Sequence, residues 1–357
     1  MTVHDCIIIG SGPAGLSLAT HLDKLNIQYL LLDKGQLAET WRTIPAHTTL
    51  ISQWWTNVLD LRGLIKHPPW KEATAGSYYK HLQEFANRKK LDIKHNCTVE
   101  KIRLSKDGTI ELHTSHGLLL GKTVVCATGY FSNPTRPDPD FPSDNSISTV
   151  HTSRFDINEE PEGSGRKALV VGKRVSAGQA IIQLHERKYH VSLSTKGIVQ
   201  HRRHGAYGKL RETIYFLYEP LWVKYFATQI SNSFPVMDGG KSEKLIKSGE
   251  IAVRPKIKSI QNSQIIFEDG SIDKFDKVVL ATGYKPATDF TQGLDSHAKS
   301  PPSIEAQNPV HPNLFFIGYD NLINFRSRYL RGIRSDAPLI AKKIKQFLNE
   351  SHSSSGD

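Results

Sequence analysis

Gly10-Ser11-Gly12-Pro13-Ala14-Gly15 narrows the possible folds of this chain more than any other stretch. It fits the pattern G-x-G-x-x-G, and its surroundings supply the rest of a nucleotide-binding turn. The apolar run Asp5–Gly10 reads as a short buried strand. Pro13–Leu25 carries apolar residues at Leu16, Ala19, Leu22 and Leu25, a helical spacing, and Gln28–Asp33 is a second strand. Strand, glycine turn, helix and strand make one βαβ unit, and the acid at its end stands 18 residues after Gly15. In such a unit Gly10 makes the tight turn, Gly12 lets backbone approach a pyrophosphate, and Gly15 lets helix meet sheet. The N-terminus of the helix offers N–H groups and positive dipole to the phosphates. Asp33 can accept from a ribose diol.

The plan repeats. At Lys167 a second unit starts: strand Ala168–Gly172, helix Ser176–Arg187, strand His190–Ser194. Each unit is followed by an irregular insert, then a hairpin signal (Lys106-Asp107-Gly108 in one, Asp269-Gly270 in the other). Each hairpin leads to a strand closing in Ala-Thr-Gly-Tyr, at Ala127–Tyr130 and Ala281–Tyr284. Tyr78–Arg88 has helical spacing. The last elements are a strand over Asn313–Gly318 and a helix over Ser335–Leu348, with Asp336 as its cap and Pro338 in its first turn. Ser351–Asp357 reads as a disordered tail. The expected fold is α/β, with two Rossmann-like dinucleotide-binding domains and the second inserted in the first. Residues 1–150 and 285–350 form the two parts of one domain, 151–284 form the other, and 351–357 form the tail.

The second glycine turn departs from the pattern. In Gly172-Lys173-Arg174-Val175-Ser176-Ala177, Arg174 takes the middle glycine position. Either its guanidinium pairs with a phosphate, or the turn no longer binds a nucleotide. The strand after it ends in Ser194-Thr195-Lys196, with no acid for a ribose diol. Hydroxyls and a lysine there suit a 2′-phosphate, which favours NADP over NAD; a solvated strand end is the other reading.

Composition excludes several classes. No apolar run approaches the roughly 20 residues needed to cross a bilayer, and the N-terminus lacks the basic leader of a secretory signal. The 46 Lys and Arg against 35 Asp and Glu give +11, but the charge is spread along the chain without a recognised nucleic-acid module. Phosphate-bearing ligands account for a basic excess at least as well. Cys6, Cys97 and Cys126 form no Cys-x-x-Cys pair, and the 16 histidines show no zinc-ligand spacing, so neither a redox disulfide nor a metal is expected.

Two dinucleotide units in this order, Thr40-Trp41-Arg42 after the first, and two Ala-Thr-Gly-Tyr closures together resemble the flavin-containing monooxygenases, class B flavoprotein monooxygenases with two dinucleotide-binding domains. The resemblance covers nearly the whole chain. It implies FAD at the first unit, held by Gly10, Gly12, Pro13, Ala14, Gly15, Asp33, Lys34, Thr40, Trp41, Val99, Ala127, Thr128, Gly129, Gly318 and Asp320. It implies NADPH at the second, at Gly172, Lys173, Arg174, Val175, Ser176, Ser194, Thr195 and Lys196, with Thr282 and Gly283 as further cofactor-binding residues on one of the two Ala-Thr-Gly segments that in the family link the two domains. The last helix would point its N-terminus at the flavin. Thr149–Phe155 resembles the end of the family's F-x-G-x-x-x-H-x-x-x-Y signature; His151 fits, but Asn145 and Ile147 replace its Phe and Gly, so His151 reads as a structural linker. Where the family often places an Asn facing the flavin, this chain has Gln53, the catalytic candidate, whose amide keeps donor and acceptor.

The implied activity is an NADPH-consuming monooxygenase that forms a flavin hydroperoxide and oxygenates a small nitrogen or sulfur nucleophile or a carbonyl compound. The partners are then a small substrate and molecular oxygen, with no nucleic acid. A flavin-dependent NAD(P)H reductase or oxidase on the same scaffold is the alternative, and a nucleotide-binding redox sensor a third. The membrane anchor of the family's eukaryotic members has no counterpart here, so a soluble, cytoplasmic protein is expected. Tyr207–Phe226 is dense in aromatics and reads as an apolar wall or a homodimer surface.

Overall fold

A computed structural model describes every residue except 1, 66, 140, 142–146, 203–207, 227–234, 293, 295–305, 309–310 and 354–357. Asn145 and the last four residues of the tail therefore lie outside it. The chain divides into two compact units, one made of Met1–Asn133, Pro220–Ile230 and Pro286–Asp357, the other of Pro134–Glu219 and Ser231–Lys285.

In the first unit the strand Val3–Ile9 lies between Tyr29–Leu32 and Gly117–Cys126, parallel to both, and Ile93–Lys94 extends the sheet beyond Tyr29–Leu32. Cys6 through Ile9 are all buried, a continuous run rather than an alternation, because a parallel sheet is covered on both faces. Gly117–Cys126 changes partner along its length. Its first half pairs antiparallel with Ile110–Thr114, which pairs in turn with Val99–Leu104; this is the hairpin the Asp107-Gly108 turn predicts. Its last residues, Val124 to Cys126, pair in parallel with Leu314–Phe316. The helix Pro13–Lys24 stops at Asn26, whose φ of 55° is the left-handed turn that asparagine tolerates.

The insert after the first unit is more ordered than its composition suggests. It holds the helix Glu39–Thr43, the strand Thr49–Gln53 paired antiparallel with Glu72–Thr74, the helix Trp54–Asn57 and a 3-10 turn at Leu61–Leu64. The helix Ala75–Lys89 begins earlier than the spacing from Tyr78 predicts, because Thr74 and Ser77 form a reciprocal cap.

The last helix corrects the sequence reading. It runs Leu330–Ser353, so Asp336 is no cap and Pro338 lies in its interior. Ile333, Ala337, Ile340, Ala341, Ile344 and Leu348 are all buried along one face. That unbroken helical period buries enough apolar surface to outweigh the bond Pro338 cannot donate. The same helix takes in Ser351, the start of the expected tail.

The second unit is built on an all-parallel sheet in the order Ala252–Arg254, His190–Ser194, Lys167–Val171, Lys277–Leu280, Ser148–His151. Ala168 and Val170 face the helix Val175–Glu186 through Ala177, Ile181 and Leu184, while Leu169 packs on the other face with Ile257, Ile265 and Phe267. The Asp269-Gly270 turn joins Gln264–Phe267 to Ile272–Asp273. A further hairpin precedes it, Ile257–Gln261 with Gln264–Phe267, turning at Asn262 and Ser263, both at positive φ. The stretch Gln200–Glu250 contains the helices Gly208–Phe226 and Lys241–Lys247. Among the described residues no helix is long and apolar enough to cross a membrane.

Candidate dinucleotide sites

The first glycine turn assigns its three glycines three different tasks. Gly10 has φ +107°, and a Cβ there would stand 2.8 Å from the carbonyl oxygen of Ala127. A Cβ on Gly15 would stand 1.9 Å from the carbonyl oxygen of Gly10, so helix and turn meet at bare backbone. Gly12 differs: φ is −70°, open to any residue, and a Cβ would meet nothing within 4 Å. Its lack of a side chain keeps a space open at the helix N-terminus, where no side chain caps the first turn and Pro13 has no N–H. Uncapped N–H groups and the positive dipole end facing open space fit a pyrophosphate.

Asp33 closes this turn from the next strand. One carboxylate oxygen accepts from the Ser11 N–H at 2.9 Å and the Ser11 hydroxyl at 2.6 Å; the other accepts from the Gly35 N–H at 3.1 Å. An ionised carboxylate has about four acceptor positions, so one is left for a ribose hydroxyl. Ser11 was not singled out by sequence. Its hydroxyl also accepts from the Ala38 N–H at 3.0 Å, tying turn, acid and insert together. Lys34 is exposed beside Asp33, Val99 opens its strand nearly buried, and Thr40 and Trp41 are half-buried, the Trp41 ring 4.6 Å from Tyr78.

The two Ala-Thr-Gly closures work alike, each inside its own unit. The Thr128 hydroxyl donates to the Ala287 carbonyl at 2.5 Å and accepts from the Tyr319 hydroxyl at 2.6 Å, while Gly129 (φ +62°) accepts from the Ala287 N–H. In the second unit Thr282 donates to the Thr135 carbonyl and Gly283 (φ +83°) accepts from the Thr135 N–H. His151 is held there too. Its Nδ1 accepts from the Ser153 N–H at 3.1 Å and its Nε2 donates to the Gly283 carbonyl at 3.2 Å. Burial lowers its pKa, so the ring is a neutral brace.

Gly318 brings the last strand to the glycine turn: a Cβ on it would touch the Ala14 Cβ at 3.2 Å. Gly10, Ala14, Ala127 and Gly318 therefore gather at the carboxyl ends of the parallel strands, where open α/β sheets bind ligands. Asp320 pairs with Arg328 at 2.9 Å, and its N–H donates to the Tyr130 hydroxyl. Gln53 ends its strand buried, its Oε1 accepting from the Trp55 indole N–H at 2.7 Å and its carbonyl from Thr56. Asp336, within the last helix, is fully buried beside Ser327, Ser335 and Arg326, and burial raises its pKa to about 6.

In the second unit Gly172 has φ +154° and a Cβ there would lie 2.3 Å from the Ala281 carbonyl oxygen. Arg174 is the half-buried residue preceding the helix Val175–Glu186, whose first turn, including Val175 and Ser176, has no side-chain cap. Lys173 reaches across to donate to the Lys196 carbonyl at 2.9 Å, linking the turn to the neighbouring strand end. Ser194 donates to the Pro255 carbonyl at 2.8 Å, Thr195 is half-buried and Lys196 exposed. Ser194-Thr195-Lys196 itself carries no acid, and Glu268 lines the space beside it.

Comparison with known proteins places the whole chain among flavin- and nicotinamide-dependent oxidoreductases. The family model of the pyridine nucleotide-disulphide oxidoreductases matches residues 7–219. An uncharacterized oxidoreductase CzcO-like of Geobacillus kaustophilus is 25% identical over 95% of this chain and 98% of its own length. The rice indole-3-pyruvate monooxygenase YUCCA1 is 26% identical over 96% of this chain and 91% of its own. Among solved structures, a mutant flavin monooxygenase from Stenotrophomonas maltophilia superposes with TM-score 0.76 at 16% identity, over 97% of this chain and 99% of that one. The protein is an oxidoreductase of the pyridine nucleotide-disulphide oxidoreductase family with the fold of the class B flavoprotein monooxygenases, and that membership implies binding of FAD and a nicotinamide nucleotide.

Proposed function

We propose that the protein is an NADPH-consuming, FAD-dependent monooxygenase of a small organic substrate. In this reading the unit carrying Gly10–Gly15 takes FAD, and the unit carrying Gly172–Ala177 is the NADP domain inserted in it. FAD, once bound and reduced, supplies the activation of oxygen; one oxygen atom enters the substrate and the other leaves as water, with NADPH and a proton consumed.

The observation that carries this reading over disulfide reduction is the state of the thiols. Cys6 and Cys126 are fully buried, and burial raises both pKa values, that of Cys6 to about 12, so neither is a thiolate at neutral pH. Cys97 is buried as well, and no two cysteines are near neighbours in sequence. Support for oxygenation also comes from the indole-3-pyruvate monooxygenase and flavin monooxygenase relatives.

The chain's own groups then have these tasks. The first-turn N–H groups of Pro13–Lys24 hold the pyrophosphate, and Asp33 holds the ribose. Gln53, its carbonyl oxygen fixed by Trp55, positions reacting groups with its amide. The buried wall around Trp54 keeps water from the reacting centre.

Anaerobic reduction by NADPH, followed by mixing with aerated buffer, tests the proposal. A long-lived absorbing species distinct from oxidised flavin, with little free hydrogen peroxide, is the expected result. Immediate return to oxidised flavin with one peroxide per NADPH would instead establish the oxidase or reductase reading.

A further inference from the structure

A cavity of about 520 Å³ opens in the first unit beside Trp54, and no residue assigned to either dinucleotide lines it. The helix Ala75–Lys89 forms one wall through His81, Glu84 and Arg88, which share a face. The turn after Asp60 forms another through Arg62, Gly63 and Ile65. That volume suits a small organic molecule.

Asp60 ties the two walls together. One carboxylate oxygen accepts from the Gly63 N–H at 3.2 Å, the other from the Arg88 Nη2 at 2.7 Å. Two donors on the helix wall remain unused. Arg88 Nε is buried and meets no acceptor, although Nη2 is paired. His81 is only 3% exposed and neutral, burial lowering its pKa to about 4. Its Nε2 accepts from the Leu59 N–H at 3.4 Å, so the ring proton sits on Nδ1, where no described group accepts it. The nearby Gly63 carbonyl is already taken by the Trp54 indole N–H at 3.1 Å. Unmade bonds to buried donors are costly, and two on one wall call for an acceptor from outside the chain.

The charges narrow the choice of acceptor. Arg62 is exposed and forms no ion pair among the described residues, while Arg88 shares Asp60 and Glu84 lines the same space. Two cations set against two carboxylates admit one further negative charge and oppose a dianion. Ile65, largely exposed, adds an apolar edge.

We infer that this cavity binds a small organic monocarboxylate, which accepts from the His81 Nδ1–H and the Arg88 Nε–H and lays its apolar body against Ile65. A carboxylate has oxygens enough for both donors, and its bond to the guanidinium is charge-assisted. The inference does not depend on the monooxygenase reading.

The test uses the full-length, FAD-loaded protein, titrated calorimetrically with benzoate, its neutral counterpart benzamide and inorganic phosphate. Benzoate saturates one site and binds about tenfold more tightly than benzamide, the size of one charge-assisted contact. Arg88→Lys keeps a cation for Asp60 but has no Nε–H, and it weakens benzoate about tenfold. Glu84→Gln removes a like charge from an exposed helix position and tightens benzoate several-fold, with benzamide unchanged. If Arg88→Lys melts early, Glu84→Gln carries the test. Benzoate that binds no better than benzamide, or equally to wild type and Glu84→Gln, overturns the inference, as does phosphate that binds more tightly than benzoate. Each of these failures leaves the oxygenation reading standing.

Discussion

The Ser11 hydroxyl donates to the Asp33 carboxylate at 2.6 Å, and the Ser11 N–H donates to the same oxygen at 2.9 Å. The residue between the first two glycines thus fixes the acid that ends the next strand. Both groups are buried, so these charge-assisted bonds form in low dielectric and are stronger than neutral ones. Ser11→Ala removes the shorter bond and strips the Ala38 N–H of its acceptor. It should lower stability by about 1–3 kcal/mol and reduce the FAD retained on purification. Thermal melting and the flavin-to-protein absorbance ratio measure the two effects.

Gly12 and Gly15 should respond differently to the same methyl group. At Gly15 the added carbon falls 1.9 Å from the Gly10 carbonyl oxygen, so Gly15→Ala must displace the helix from the turn and should not give folded protein. At Gly12 it enters open space with φ unstrained. Gly12→Ala should melt within about 0.5 kcal/mol of the apoprotein, as surface changes do, yet fail to take up FAD. A Gly12→Ala protein that is yellow would move the pyrophosphate elsewhere.

Thr128 should be intolerant of losing its hydroxyl. Thr128→Val is nearly isosteric but leaves the fully buried Tyr319 hydroxyl and the Ala287 carbonyl without that partner. A loss of about 1–3 kcal/mol follows from unsatisfied buried polar groups. Denaturant unfolding of Thr128→Val and Thr128→Ser checks it, with Ser restoring most of the stability.

What the sequence made legible was repetition and local chemistry. The turn at Gly10–Gly15, the strand His190–Ser194 and the helix beginning at Pro13 follow from spacing alone, because glycine, proline and apolar period act within a few residues. Two features were hidden because they depend on distant neighbours. Asp336-x-Pro338 looks like a helix start, yet the helix begins at Leu330, since packing of Ile333 and Ala337 carries the period through the proline. Arg254 and Lys256 stand 58 and 60 residues after Lys196 and meet it only through parallel strand pairing. Asn262-Ser263 turns a hairpin without a glycine, which the usual turn signal misses.

Two buried titratable groups give opposite pH dependences. His81 is held neutral, its pKa lowered to about 4 by burial, with its Nε2 accepting from the Leu59 N–H. The unfolded chain therefore binds more protons below pH ~6.5, and this contribution to stability is lost as pH falls from there towards 4. Asp336 has its pKa raised to about 6, so the folded state binds the extra proton. Its contribution is full below the unfolded value and lost as pH rises through about 6. Asp336→Asn should therefore gain relative to wild type between pH 4 and 8, and His81→Gln should flatten the acid limb, each by about 1–3 kcal/mol. Melting temperatures across that range, for both variants and wild type, read both slopes.

Arg174 decides whether the second turn is a working variant or a relic. It precedes an uncapped helix in an extended conformation that any residue adopts, so Arg174→Gly restores the usual pattern without backbone strain. If the guanidinium pairs with the pyrophosphate, Arg174→Gly removes a contact common to NADPH and NADH. Affinity for both should then fall about tenfold, the size of one charge-assisted contact, and the dependence on salt should weaken with it. A rise in affinity for both on Arg174→Gly would mean that the arginine obstructs the turn, and that reduction of the flavin by nicotinamide is a weak reaction of this protein. Stopped-flow reduction of the bound flavin, over a range of each nucleotide and at two ionic strengths, separates the cases.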